Sequence, residues 1–104
     1  MSDAIFAALA DPNRRLIVES LAVSGSGTAT RLGTDLGISR QATAKHLSLL
    51  AEVGLVSGER RGRETIYRPD PAALADVTAW VAAVEHQWAR RLGRLADHVD
   101  GPSG

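Results

Sequence analysis

Apolar residues recur at steps of three and four along most of the chain, the period of helices that each bury one face. Ile5, Phe6 and Leu9 mark a short first helix, capped by Ser2 or Asp3 and ending near Ala10. Asp11-Pro12 is an N-cap followed by proline at the first helical position, a pairing that starts a helix without stranding a backbone donor. The second helix is expected to run to about Val23 and to bury Leu16, Ile17 and Leu21. Ser24-Gly25-Ser26-Gly27 then breaks the pattern, too briefly to link two domains. Thr28 caps a third helix carrying Leu32 and Leu36 on one face, Gly37 ends it, and Ile38 enters the core. Ser39 caps a fourth helix from Arg40 to about Val53, closed by Gly54.

Two helices across a tight glycine-containing turn form a helix-turn-helix pattern. Residues 55–59 and 64–68 read as two strands joined by Arg60-Arg61-Gly62-Arg63, where Gly62 supplies the positive φ of a hairpin turn. Asp70-Pro71 repeats the helix start and opens the longest periodic stretch, with Leu74, Val77, Val81, Val84, Trp88, Leu92, Leu95 and Val99 in one stripe about 40 Å long. The fold class is therefore mainly α with a small β-hairpin: a winged helix-turn-helix of five helices plus a two-stranded wing. Residues 1–100 make a single domain, and 101–104 a flexible tail.

The last stripe is longer than one small core can cover, so part of it is expected to pack on a second copy. The candidate dimer interface combines Ile5, Phe6 and Leu9 with Val77, Trp80, Val81, Val84, Trp88, Leu92 and Leu95. Trp80 and Trp88 could instead line a ligand cavity at that seam, although large aromatics at helical spacing are commonly core or interface.

Composition narrows the classes. At 104 residues and 44% hydrophobic, the chain has no apolar run of roughly 18 residues, so no membrane span is expected. Its first apolar stretch follows Asp3 and reads as an ordinary helix of a cytoplasmic protein. The absence of cysteine removes disulfides, zinc-thiolate sites and thiol redox switching. Net charge is zero, yet it is unevenly spread. Residues 31–68 hold seven cations (Arg31, Arg40, Lys45, Arg60, Arg61, Arg63 and Arg68) against four acids (Asp35, Glu52, Glu59 and Glu64), as expected of a phosphate-facing surface.

On the fourth helix, Thr43, Leu47 and Leu50 share the inner side, while Gln41, Lys45 and Ser48 lie opposite, with Ser39 and Arg40 on the first turn. Gln pairs bidentately with adenine, and Arg or Lys with guanine, so this polar face suits a DNA major groove; a merely solvated face is the alternative. Arg60, Arg61 and Arg63 at a protruding tip suit phosphates or the minor groove. His46 has two readings, beside the groove-facing surface or hydrogen-bonded between helices. The candidate DNA-binding set is Ser39, Arg40, Gln41, Thr43, Lys45, His46, Ser48, Arg60, Arg61 and Arg63.

The run Leu36-Gly37-Ile38-Ser39, then Lys45-His46-Leu47, Leu50, Gly54-Leu55-Val56, Arg60-x-Gly62-Arg63 and Tyr67 resembles the arsenic-repressor-like (ArsR) family of winged-helix regulators. Leu9-Ala10-Asp11-Pro12-x-Arg14-Arg15 is similar to that family's entry into its second helix, so the resemblance covers about residues 4–99. It implies homodimers held by the first and last helices, with two recognition helices in successive major grooves of double-stranded DNA. The family's metal motifs do not carry over. Its two cysteines on the third helix align with Thr28 and Thr30, and its intersubunit ligands fall on Asp76, Thr78, Ala89 and Leu92, of which only Asp76 matches. His86 and His98 stand twelve residues apart on one helix, about 18 Å along its axis, and no metal or cofactor is expected.

No catalytic constellation occurs at an interpretable spacing. The expectation is a sequence-specific repressor on an inverted-repeat operator rather than an enzyme. The alternatives are a repressor with an organic effector at the dimer seam, its identity open, and a winged helix used for protein contacts.

Overall fold

The computed structural model describes residues 3–100, with side chains through residue 93. The order is α1 (Asp3–Leu9), α2 (Pro12–Ser24), α3 (Ala29–Leu36), α4 (Arg40–Glu52), β1 (Val56–Arg61), β2 (Glu64–Pro69) and α5 (Pro71–Asp100). These are the five helices and two-stranded hairpin expected, with ends shifted by a residue or two. Among the described residues no helix is long and apolar enough to cross a membrane.

The start of α2 has a chemical cause. Asp11 Oδ1 accepts the backbone N–H of Asn13 at 2.8 Å and of Arg14 at 3.2 Å, satisfying two donors that α2 would otherwise leave free. The Arg14 N–H, above all, holds the Asp11 carboxyl below its usual range; the Asn13 N–H and the Arg14 guanidinium add to this, and partial desolvation opposes it. Arg14 and Arg15 also reach back to close α1. Arg14 Nε donates to Ala8 O at 2.6 Å and Arg15 Nη1 to Leu9 O at 2.8 Å, covering carbonyls at the C-terminal end of α1.

Ile17, Leu21, Leu32, Leu47, Leu50 and Leu55 are fully buried at the centre. On α2 the inner face is Ile17, Val18 and Leu21, whereas Leu16, expected inside, is 43% exposed. The apolar run on α2 is ambiguous by one position, and packing selected the 17/21 pair. Leu36 and Ile38 are only half-buried.

Gly33 sets the approach of α3 to α4. A Cβ placed there would lie 2.7 Å from Ile38 O and 3.0 Å from Thr43 Oγ1, closer than packed atoms tolerate. Thr43 fills the opposite side of that contact: it is fully buried, and its hydroxyl donates to Ser39 O at 2.8 Å. Thr43 therefore does not reach DNA, a correction to its place in the candidate set. Its position on the inner arc with Leu47 and Leu50 is the physical reason.

The strands pair antiparallel from Val56↔Pro69 to Arg61↔Glu64, so the loop is the two residues Gly62 and Arg63 rather than the four expected. Gly62 has φ 61° and Arg63 is not in the positive region, the sign pattern of a type II′ hairpin. The wing is anchored by a third element: Gly27 and Tyr67 exchange backbone hydrogen bonds at 2.9 and 2.8 Å. Gly27 is buried, and a Cβ there would meet Arg31 Nη2 at 2.8 Å.

Helix α5 leaves the body after two turns. Ala73, Leu74 and Val77 pack on the core, and residues 78–93 are exposed. The radius of gyration is 18.9 Å, against about 13 Å for a compact chain of this size.

Candidate nucleic-acid interface

The short third helix and the Ser39 cap present the first turns of α4 to solvent. Ser39 Oγ accepts Ala42 N–H at 3.1 Å, fixing where α4 begins. Ser39, Arg40, Gln41, Lys45 and Ser48 are all exposed. The first four form a shallow surface together with Ala42 and Ala44, and Ser48 continues the same face two turns on. His46 is half-buried on the flank, close enough to influence the Asp11 carboxyl electrostatically.

That surface runs into a crevice between α3, α4 and the wing. Arg40 and Ala44 border both. The crevice, of about 120 Å³, is also lined by Thr28, Ala29, Thr30, Arg60, Arg63, Thr65 and Tyr67, and by one carboxylate, Glu64, which makes no ion pair with these arginines. A phosphate-sized group would sit there among three guanidiniums, with the Glu64 carboxylate also on the lining. Arg40 is positioned by Thr30, whose Oγ1 accepts from Arg40 Nε at 3.2 Å, and Arg60 Nε donates to Gly62 O at 3.0 Å across the turn. The candidate set read from the sequence lacks Thr28, Ala29, Thr30, Ala44, Glu64, Thr65 and Tyr67 of this lining. Thr65 follows from a two-residue loop, which pairs it with Arg60; Ala44 follows from being one turn beyond Arg40 and small.

Alternation along the wing divides its arginines. Arg60 lies on the side of Gly58, Thr65 and Tyr67, whereas Arg61 lies with Glu59 on the other. Arg61 Nε is 3.6 Å from Glu59 Oε1, and Arg61 does not line the crevice. Among the described residues, Arg40, Lys45, Arg60 and Arg63 make no ion pair, while Arg61 and Arg68 both pair with Glu59.

The candidate dimer residues separate into two groups. Ile5 is 8% exposed in the chain's own core, so it does not reach a seam with another copy, a correction to that expectation. Leu9 and Val77 are half-buried against the core. Phe6 meets Trp80 edge-on, ring centroids 4.9 Å apart. Trp80, Val81, Val84, Trp88 and Leu92 stay 40–59% exposed along one stripe. The side chain of Leu95 and the tail at 101–104 lie outside the described residues.

The positions that would carry the family's metal ligands are committed to other bonds. Thr28 Oγ1 accepts Arg31 N–H at 3.2 Å, Thr30 Oγ1 accepts from Arg40, and Thr78 Oγ1 donates to Leu74 O at 2.9 Å. Hydroxyls so engaged, with Ala89 and Leu92, do not form a zinc donor set, which needs about four converging N, S or O ligands. No three His, Cys, Asp or Glu side chains converge among the described residues.

Comparison with known proteins agrees with this geometry. A helix-turn-helix domain family matches residues 9–59. The chain is 47% identical over 77 residues to the uncharacterized HTH-type transcriptional regulator YuzN of Bacillus subtilis, covering 66% of this chain and 84% of that one. It is 37% identical over 98 residues to the HTH-type transcriptional regulator Rv2034 of Mycobacterium tuberculosis, covering 94% and 88%. An ArsR-like transcriptional regulator from Rhodococcus superposes with a TM-score of 0.71 at 36% identity, covering 92% of this chain and 89% of that one. With this identity and coverage in both sequence and structure, the chain belongs to the ArsR-type family of winged helix-turn-helix transcriptional regulators.

Proposed function

We propose that the protein is a cytoplasmic repressor, not an enzyme, that binds an inverted-repeat operator as a homodimer and blocks the promoter beneath it. The observation that carries this reading is the continuity of the polar face of α4 with a crevice rimmed by Arg40, Arg60 and Arg63, whose cations have no carboxylate partner among the described residues. Gln41 and Lys45 are the base-reading side chains in this reading, with Ser39 and Ser48 beside them. Arg40, Arg60 and Arg63 hold the phosphate backbone and set the register.

The exposed stripe on α5 supports the dimer, because apolar patches of that extent on a small protein mark interaction surfaces. A two-fold dimer presents two equivalent α4 helices, and half-sites about 34 Å apart follow from one turn of DNA. Selection of bound fragments from genomic DNA tests the reading: a shared palindromic motif is expected, and recovery of fragments without a common motif would contradict it.

Control by a transition metal does not belong to this reading, since Thr28, Thr30, Thr78, Ala89 and Leu92 stand where ligands are needed. Zinc, cadmium or arsenite at micromolar excess should leave operator affinity unchanged in fluorescence anisotropy. A tenfold loss reversed by a chelator would contradict that.

A further inference from the structure

The wing carries four arginines, and its register sorts them by face. Arg60 and its cross-strand partner Thr65 line the crevice beside α4, and Arg63 joins them from the loop. Arg61 and Arg68 lie on the opposite face, where one carboxylate holds both: Arg68 Nη1 donates to Glu59 Oε2 at 3.1 Å, and Arg61 Nε lies 3.6 Å from Glu59 Oε1. All three side chains are about half exposed. Both outer-face arginines are thus paired, while both crevice-face arginines make no ion pair among the described residues.

We propose that Glu59 is a specificity-determining residue, which rests on the DNA-binding reading above: it retains Arg61 and Arg68 on the outer face of the wing and withholds two cations from sequence-independent attraction to DNA. Sequence-independent affinity grows with each phosphate a protein neutralises, because each contact releases a condensed counterion. Specificity is the difference between operator and random affinities, so a device that lowers the second raises the ratio. Exposed ion pairs are weak. Weakness suffices here, because the competing partner is a phosphate that is equally solvated. Arginines with long exposed side chains on a protruding hairpin can otherwise swing to whichever strand passes nearest. Glu59 gives both a nearer anion and leaves Arg60 and Arg63 to engage the backbone from the side that faces α4.

The test is Glu59→Gln, which keeps the shape and removes the charge, measured by anisotropy on operator and on random duplex from about 50 to about 300 mM salt, the range over which counterion release is read. Random DNA should bind about three- to tenfold tighter at 0.1 M salt, with the log-log slope steeper by roughly 2 to 4 per dimer. Operator affinity should rise less, so the specificity ratio falls. The same substitution made in an Arg61→Ala, Arg68→Ala background should change nothing, because no cation is left to release. An unchanged random-DNA isotherm for E59Q would overturn the proposal. A gain that survives in the doubly substituted background would also overturn it, by showing a bare charge effect. Absence of salt-dependent DNA binding by the wild type is a separate result that removes the underlying reading as well. Melting curves on each variant show that the exposed substitutions leave the fold intact.

Discussion

Gly33 and Thr43 decide how the two helices of the helix-turn-helix cross. Gly33→Ala would drive a methyl group against Ile38 O and Thr43 Oγ1, and overpacking of this kind costs about 1–3 kcal/mol. Thermal melting should show it as a clear fall in midpoint, whereas Gly93→Ala, with nothing within 4 Å of the new Cβ, should not. The inward direction of Thr43 was legible from its spacing to Leu47 and Leu50. Its polarity argued the other way, and the hydrogen bond to Ser39 O resolves the conflict by satisfying the hydroxyl inside. Asp11 gives a pH prediction. Its folded pKa is lowered, so its contribution to stability is present above the ordinary carboxylate value of 3.8 and is lost as pH falls through the folded value. Asn also caps helices, so Asp11→Asn should keep the cap while removing this titration. The acid-side loss of stability in denaturant unfolding should be shallower than in the wild type, and an identical pH profile would contradict the assignment.

The elements were legible because caps and breakers sit at nearly every boundary: Asp11-Pro12, Thr28, Gly37, Ser39, Gly54 and Asp70-Pro71 each fall where a helix starts or stops. The wing was legible as a hairpin but not in register. A basic tetrad around Gly62 allows a loop of two or four residues, and only the pairing Arg61↔Glu64 separates them. That difference matters, because in the shorter loop Arg60 and Arg61 point to opposite faces. The roles of α4 and the wing are separable by substitution. Gln41→Ala or Lys45→Ala should cost about 1–3 kcal/mol on operator and little on random DNA. Arg60→Ala or Arg63→Ala should weaken both duplexes alike and make the log-log slope shallower by about 2 per dimer, one contact being lost on each subunit. Anisotropy on the two duplexes reads both effects, and a uniform response across all four variants would remove the distinction between reading and positioning.

At the scale of the molecule, a small core carries a helix that projects well beyond it. The 30 residues of α5 extend about 45 Å; Trp80 meets only Phe6 among the aromatic rings of the described residues, and Val84, Trp88 and Leu92 beyond it stay about half exposed. The length of the stripe in the sequence foretold this, whereas the burial of Ile5 did not follow from periodicity, since α1 is amphipathic enough to face either way. Val84→Glu would place a charge in the stripe. Sedimentation should then show a monomer with helix content unchanged, against a wild-type dimer at micromolar concentration. A wild-type monomer there would contradict the dimer.

Two copies of α4 reading an operator while two sets of cations hold its backbone should show in one experiment: anisotropy titration of the wild-type protein on a selected palindromic duplex and on a scrambled one, across a range of salt. Arg40, Arg60 and Arg63 from each subunit give about six phosphate contacts, and hence a log-log slope near −5 on the palindrome with an affinity at least about a thousandfold above the scrambled duplex. Equal affinity for both duplexes, or a slope near zero, would contradict it.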